Sequence, residues 1–163
     1  MKLNLGCGLD YRKGYVNLEH PEVNIKCDIK HDLNRFPYPF KADQFEEVIC
    51  RNLIEHLKDP ERVMKELHRI SKNRALIKII VPHFSCADTW GDIQHVRGFS
   101  SETFAHENLK HLFSVVKQRI KFPKRRFFIE PVFNKFNGLY EHNFAYIFPA
   151  ETLNVVLKVK KLG

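Results

Sequence analysis

The chain has 163 residues, of which 44% are apolar and 28% charged, with a formal net charge of +8. That balance excludes a disordered or fibrous chain and fits one domain around a single core. No apolar run approaches the roughly 20 residues of a membrane helix, and Met1-Lys2 leads at once into an apolar strand without a signal-like region; the expectation is a cytoplasmic protein with no membrane span.

Four cysteines, Cys7, Cys27, Cys50 and Cys86, stand far apart with no C-x-x-C pair, and read as small buried thiols. The positive charge is uneven. Residues 1–100 hold 16 Lys/Arg against 14 Asp/Glu, whereas residues 101–163 hold 11 against 5. The excess concentrates in Lys117–Arg126, which could attract the phosphates of nucleic acid, an anionic membrane face or a phosphorylated substrate; lysines that guard an edge strand give the same pattern.

Residues 2–7 predict a short buried strand ending at Gly6 and Gly8, where the absence of Cβ atoms lets the backbone turn tightly beside a ligand. Tyr11 stands where a dinucleotide fingerprint has its third glycine. The polar stretch 9–13 leaves little room for a crossover helix before a second strand ending at Glu19. A carboxylate there can accept hydrogen bonds from two vicinal ribose hydroxyls, or be an ordinary loop acid. Val23–Ile29 alternates as a third strand, followed by His31-Asp32-Leu33, where Asp32 could equally cap a turn. The Pro-spaced aromatic loop 36–40 leads to a fourth strand, Phe45–Cys50. Beyond it, Asn52 faces the ligand edge, while Glu55 and His56 are expected to organise the turn, with His56 as a catalytic base the sharper alternative. Asp59-Pro60 opens a helix as N-cap and first helical residue, with Val63, Met64, Leu67 and Ile70 on its core stripe. Ala75–Val81 then reads as a fifth strand buried on both faces.

Residues 83–97 are polar, aromatic and irregular, and are expected to form the substrate loop. His83 or His95 could take a proton from a nucleophile, with Asp92 orienting one of them; Asp92 and His95 could also simply tie the loop together. His83, Cys86, Asp92 and His95 match no strong zinc spacing, so no metal is expected. A short helix over 101–109, a sixth strand over 113–122 and a last strand over 152–159 complete the chain.

The succession Leu3–Gly8, Gly14–Glu19, Asp32-Leu33, Phe45–Cys50 into Leu53–Leu57, and Ile77–Pro82 resembles class I S-adenosylmethionine-dependent methyltransferases, in particular the small methyltransferase type 11-like branch. The resemblance implies an α/β Rossmann-like domain over 1–163: a mostly parallel seven-strand sheet, its last strand antiparallel, with helices on both faces. Residues 1–84 would be the cofactor-binding half and 85–163 the substrate loop and C-terminal strands, with 140–149 similar to a hairpin partner strand. It implies S-adenosyl-L-methionine as cofactor, held by Asn4, Leu5, Gly6, Cys7, Gly8, Glu19, Asp32, Leu33 and Asn52. Asp32 would take the adenine amine and Leu33 pack on the ring. The expected reaction is methyl transfer to an O or N nucleophile on a small metabolite, sugar or lipid-linked acceptor, with His83, His95 and Asp92 as catalytic groups. Two other readings stand beside it, namely a methyltransferase-like binding protein without activity and an RNA methyltransferase using the basic C-terminal third. A nicotinamide dehydrogenase fits less well, because the third glycine is missing.

Overall fold

The computed structural model describes residues 1–161. Its seven strands are β1 (Lys2–Leu5), β2 (Val16–Glu19), β3 (Ile29–Lys30), β4 (Phe45–Arg51), β5 (Ser71–Pro82), β6 (Phe113–Lys121) and β7 (Thr152–Val159), in one sheet of order β3-β2-β1-β4-β5-β7-β6. The first five run parallel, and β7 is antiparallel to both β5 and β6. The strand order reverses at β1, so the loops after β1 and β4 diverge and leave a crevice at the carboxyl edge, where open α/β sheets bind ligands.

The Asp59 carboxylate accepts the Arg62 N–H and caps α1 (Pro60–Ile70), whose stripe of Val63, Met64, Leu67 and Ile70 is buried as its spacing predicts. The helix ends at Ile70 and passes directly into β5, whose Ala75, Ile77, Ile79 and Val81 face the core. The other face of β5 is only half-covered, contrary to the expectation of burial on both sides. Lys78 lies there with its Nζ 2.8 Å from Glu47.

No helix forms between β1 and β2. In its place two buried asparagines brace the loop. Asn4 donates to the Asp10 carbonyl at 2.7 Å and to Asn17 Oδ1 at 3.1 Å, and Asn17 accepts from the Arg12 N–H and donates to the Arg12 and Tyr15 carbonyls. Side-chain amides thus satisfy the backbone groups that helical hydrogen bonds would otherwise take up.

Three expectations change. The third strand shrinks from 23–29 to Ile29–Lys30, because the Asp28 carboxylate, 2.7 Å from the Asn17 N–H, takes a position that strand backbone would occupy, leaving Val23 exposed. The 101–109 helix is broken into a 3-10 turn (Thr103–Ala105) and α3 (Glu107–Lys110). The segment 140–149 is no strand: after α2 (Ala87–Gly91) and α3 come α4 (Glu130–Lys135) and α5 (Asn137–Asn143), and β6 is the hairpin partner of β7. Tyr140 decides this, since its ring is fully buried against Phe133 and Phe122, which a helical turn can present together. Cys7 and Cys50 are buried, Cys27 and Cys86 only partly, and all four are free thiols.

Candidate active site

A cavity of about 700 Å³ opens over the carboxyl edge of β1, β2, β3 and β4, a size suited to a nucleoside-like ligand. Its walls bring together Asn4, Gly6, Cys7, Gly8, Glu19, Asp32, Leu33 and Asn52, so eight of the nine cofactor residues expected from sequence meet in one place. Leu5 does not; it is fully buried in the core of β1. Sequence reasoning missed His20, Val23, Leu53 and Leu57 on the same walls, because nothing in their spacing marks them as ligand-facing.

Gly6 and Gly8 both take positive φ, +64° and +50°. A Cβ on Gly6 would stand 2.7 Å from Leu53 Cδ1, so this glycine lets the loop after β4 close over the loop after β1. Gly8 has open space above it. The Gly8 N–H donates to Glu19 Oε2 at 2.7 Å, and Glu19 Oε1 accepts from the His20 N–H at 2.8 Å. Each oxygen keeps lone-pair capacity for a ligand hydroxyl. At the far end the Asn34 N–H donates to Asp32 Oδ1 at 2.9 Å. That bond, with His20 and Arg35 close by, holds the Asp32 carboxyl below its usual range, so it stays ionised as an acceptor. Burial, with Glu19 nearby, pushes the Cys7 thiol up to about 11, making it a wall and no nucleophile.

A second cavity of about 570 Å³ adjoins the first and shares Asn52 and His56 with it. Its other walls are Glu55, Pro82, Asp88, Gly91, Asp92 and His95. Asn52 stands at the junction in a left-handed conformation, φ +47°, which asparagine tolerates, and its N–H donates to the Ile80 carbonyl at 2.8 Å. The Val96 N–H donates to the Glu55 carbonyl at 2.9 Å and clamps the loop after β5 onto the 3-10 turn Ile54–His56. His95 and Asp92, both expected from sequence, therefore face the second cavity with His95 Nε2 3.6 Å from Asp92 Oδ2.

His83 is elsewhere. Its ring is fully buried outside both cavities, with Nδ1 accepting from the Ser85 N–H at 3.2 Å and Nε2 3.0 Å from Glu141 Oε1. Ser101 also bonds Glu141 through its N–H and its hydroxyl, at 2.7 and 2.6 Å. With both nitrogens engaged and its ring buried, His83 ties β5 to α5 and lies apart from the cavities where its expected catalytic role would place it. Glu55 and His56, expected to organise the turn with His56 as a catalytic base the sharper alternative, line the second cavity. Their only signal was an acid-histidine pair at the carboxyl end of β4.

Residues 3–79 match the family model described as a methyltransferase domain. Among solved structures, the chain is similar to an S-adenosylmethionine-dependent methyltransferase from Archaeoglobus fulgidus, with TM-score 0.68, 20% identity, and coverage of 96% of this chain and 85% of that one. It is similar also to one from Mesorhizobium loti, with TM-score 0.63 and 13% identity over 96% and 89%. The [4+2]-cyclase SpnF shares the fold as well, with TM-score 0.64 and 14% identity over 99% and 75%. No curated protein matches the chain. The fold is thus that of the class I S-adenosylmethionine-dependent methyltransferases. Residues 3–79, just under half of the chain, are similar to the methyltransferase domain, and S-adenosylmethionine is the cofactor that this likeness implies.

The first cavity fits that group. Glu19 and Asp32 offer acceptors to ribose hydroxyls and an adenine amine, Leu33, Leu53 and Leu57 supply an apolar wall, and the open space over Gly8 admits a close backbone approach.

Proposed function

We propose that the chain transfers a methyl group from S-adenosylmethionine to an oxygen or nitrogen nucleophile that enters the second cavity. The observation that carries this reading is the junction: the cofactor-sized cavity and the polar, histidine-bearing one meet at Asn52 and His56. Glu19 would hold the ribose, Asp32 and Leu33 the adenine, and the Gly6–Gly8 backbone the remainder. When bound, the cofactor supplies a methyl group on a positively charged sulfur, already activated for attack by a lone pair. What the chain must add is placement of the acceptor in line and removal of its proton. His95 and Asp92 on the second wall orient the acceptor and draw on that proton.

The acceptor reading favoured by the surface is a lipid-linked one. Phe127, Phe128, Val132, Phe136, Leu139, Tyr146 and Ile147 are all more than half exposed, beside Lys124, Arg125, Arg126 and Lys135. A segment that exposes so many apolar side chains beside cations suits an anionic membrane surface. The patch reaches the second cavity through aromatic contacts: Tyr146 packs edge-on to Phe84, and Trp90, next to the cavity residue Gly91, donates to the Phe84 carbonyl at 2.8 Å. The rest of the basic cluster fits its structural alternative, for Lys117, Arg119 and Lys121 lie on β6, the exposed edge strand, and Lys121 and Arg119 approach Glu130.

Titration calorimetry with S-adenosylhomocysteine tests the cofactor site. Binding should weaken roughly 10- to 100-fold in Glu19→Ala, the loss for a charged hydrogen-bond partner, with an unchanged circular dichroism spectrum. Absence of binding by the unmodified chain would transfer the reading to a binding protein without activity.

A further inference from the structure

In the second cavity, Glu55, His56 and His95 bring one carboxylate oxygen and two imidazole nitrogens within 4.8 Å of one another. Some point therefore lies within about 2.8 Å of all three donors, against the roughly 2.0–2.2 Å of bonds to a zinc-like ion. Side-chain shifts of under about an ångström would close such a shell.

The feature that points to a ligand is Glu55. Its side chain is 1% exposed, and neither carboxylate oxygen has a hydrogen-bond partner within the protein. Burying a carboxylate without a partner is among the costliest arrangements a fold can carry, and the stable forms pair it with a cation or a metal. Burial pushes this carboxyl up to about 7, opposed first by its own backbone N–H, then by His95 and by the Leu53 N–H, although neither N–H meets hydrogen-bond geometry with the carboxylate. No lysine or arginine borders the cavity to pair with it.

His95 is oriented for the same task. Its Nδ1 lies 3.3 Å from the Thr89 carbonyl, which can only accept, so Nδ1 carries a proton, and Nε2 stands 3.6 Å from Asp92 Oδ2 on the cavity side. A backbone carbonyl on the far nitrogen is the usual support of a metal-binding imidazole. The His56 and His95 rings meet edge to face with centroids 4.7 Å apart. Residues 54–56 leave β4 in a 3-10 turn and residues 92–95 follow α2, and the Val96 to Glu55 backbone bond joins the two segments, so the ligand set does not depend on one flexible loop.

We propose that Glu55, His56 and His95 bind one divalent transition-metal ion of the zinc class, with a fourth position open to the second cavity. Two imidazoles and one carboxylate with an open position are the ligand set of catalytic zinc sites. The ion would receive an oxygen of the acceptor. A hydroxyl bound there loses its proton near neutral pH, the proton passing to the adjacent Asp92 carboxylate, and the oxygen keeps the lone pair that forms the new bond. In this arrangement His95 is a ligand and Asp92 the proton acceptor, so the acceptor class narrows to hydroxyl-bearing molecules. Only this last role rests on the methyl-transfer reading; the metal site does not.

The test uses the whole chain after treatment with a chelator and dialysis. Calorimetric titration with Zn²⁺, and Co²⁺ titration followed by visible absorption, should each give one site per chain, the cobalt spectrum reporting a low-coordinate environment with nitrogen ligands. Glu55→Gln keeps shape while removing the charge, and His95→Ala removes one nitrogen; each should weaken Zn²⁺ at least 10- to 100-fold. S-adenosylhomocysteine affinity, measured in the same variants, should remain unchanged because neither residue borders the first cavity. Absence of stoichiometric Zn²⁺ and Co²⁺ binding, or binding that both variants leave intact, overturns the site. Metal binding without any affinity for S-adenosylhomocysteine would retain the site and remove the methyl-transfer reading. Glu55→Gln raising thermal stability while the unmodified chain ignores metal would identify Glu55 as a protonated acid buried for another reason, and would also overturn the proposal.

Discussion

Gly6 and Gly8 share a positive φ but differ in what surrounds them, and that difference can be measured. An alanine at either position pays for a left-handed backbone, roughly 1–2 kcal/mol. At Gly6 the added Cβ also meets Leu53 at 2.7 Å, whereas at Gly8 it meets nothing within 4 Å. Gly6→Ala should therefore lower stability more than Gly8→Ala in urea unfolding. It should also weaken S-adenosylhomocysteine by displacing Leu53 from the cavity wall. Gly6→Ala combined with Leu53→Ala should recover the steric part alone. Equal losses in the two single variants would show that the Leu53 contact is readily relieved.

Among the elements, the junction of β5 with α5 depends on a small polar knot. Burial works to raise the Glu141 carboxyl, yet hydrogen bonds from His83 and from Ser101 outweigh it and hold it below the usual carboxylate range. A carboxyl depressed in the folded state contributes stability that is fully present above its unfolded value of about 4.3 and is lost as pH falls through the lower folded value. Glu141→Gln should cost about 2–4 kcal/mol at neutral pH, since it leaves buried donors poorly matched. It should also flatten the acid limb of the stability profile, read by urea unfolding between pH 7 and 3. An acid limb as steep as that of the unmodified chain would show that other carboxylates govern it. The depressed Asp28, held chiefly by the Asn17 N–H, falls in the same window and is the first alternative.

Over the whole molecule, the sheet places its cavities at one edge, and the segment 124–148 exposes many of the large apolar residues beside Lys124, Arg125, Arg126 and Lys135. No helix among the described residues is long and apolar enough to cross a membrane. In sedimentation assays the chain should bind vesicles rich in phosphatidylglycerol and spare neutral phosphatidylcholine ones. Phe127→Ser with Phe128→Ser should reduce that binding at least tenfold without changing S-adenosylhomocysteine affinity. Binding that vanishes in salt but ignores the double variant would reduce the patch to its charges and favour a phosphate-bearing soluble partner.

The sequence by itself determined the frame. Glycines at the end of the first strand, an acid at the end of the second, Asp59-Pro60 opening α1 and alternating apolar residues in β4, β5 and β7 are local signals, set by backbone sterics and by periodic burial. They suffice to place Gly6, Gly8, Glu19, Asp32 and Asn52 on one edge, because a parallel sheet sends every such loop to the same side. Tertiary structure alone decided which histidine faces a cavity. His83 and His95 look alike in a polar loop, but Glu141, 58 residues from His83, closes one off, and the Val96 bond to Glu55 brings the other against a buried carboxylate. It also made 140–143 helical and cut the third strand short, through the burial of Tyr140 and the Asp28 bond to Asn17. Such outcomes depend on partners distant in the chain, and neither spacing nor propensity carries that information.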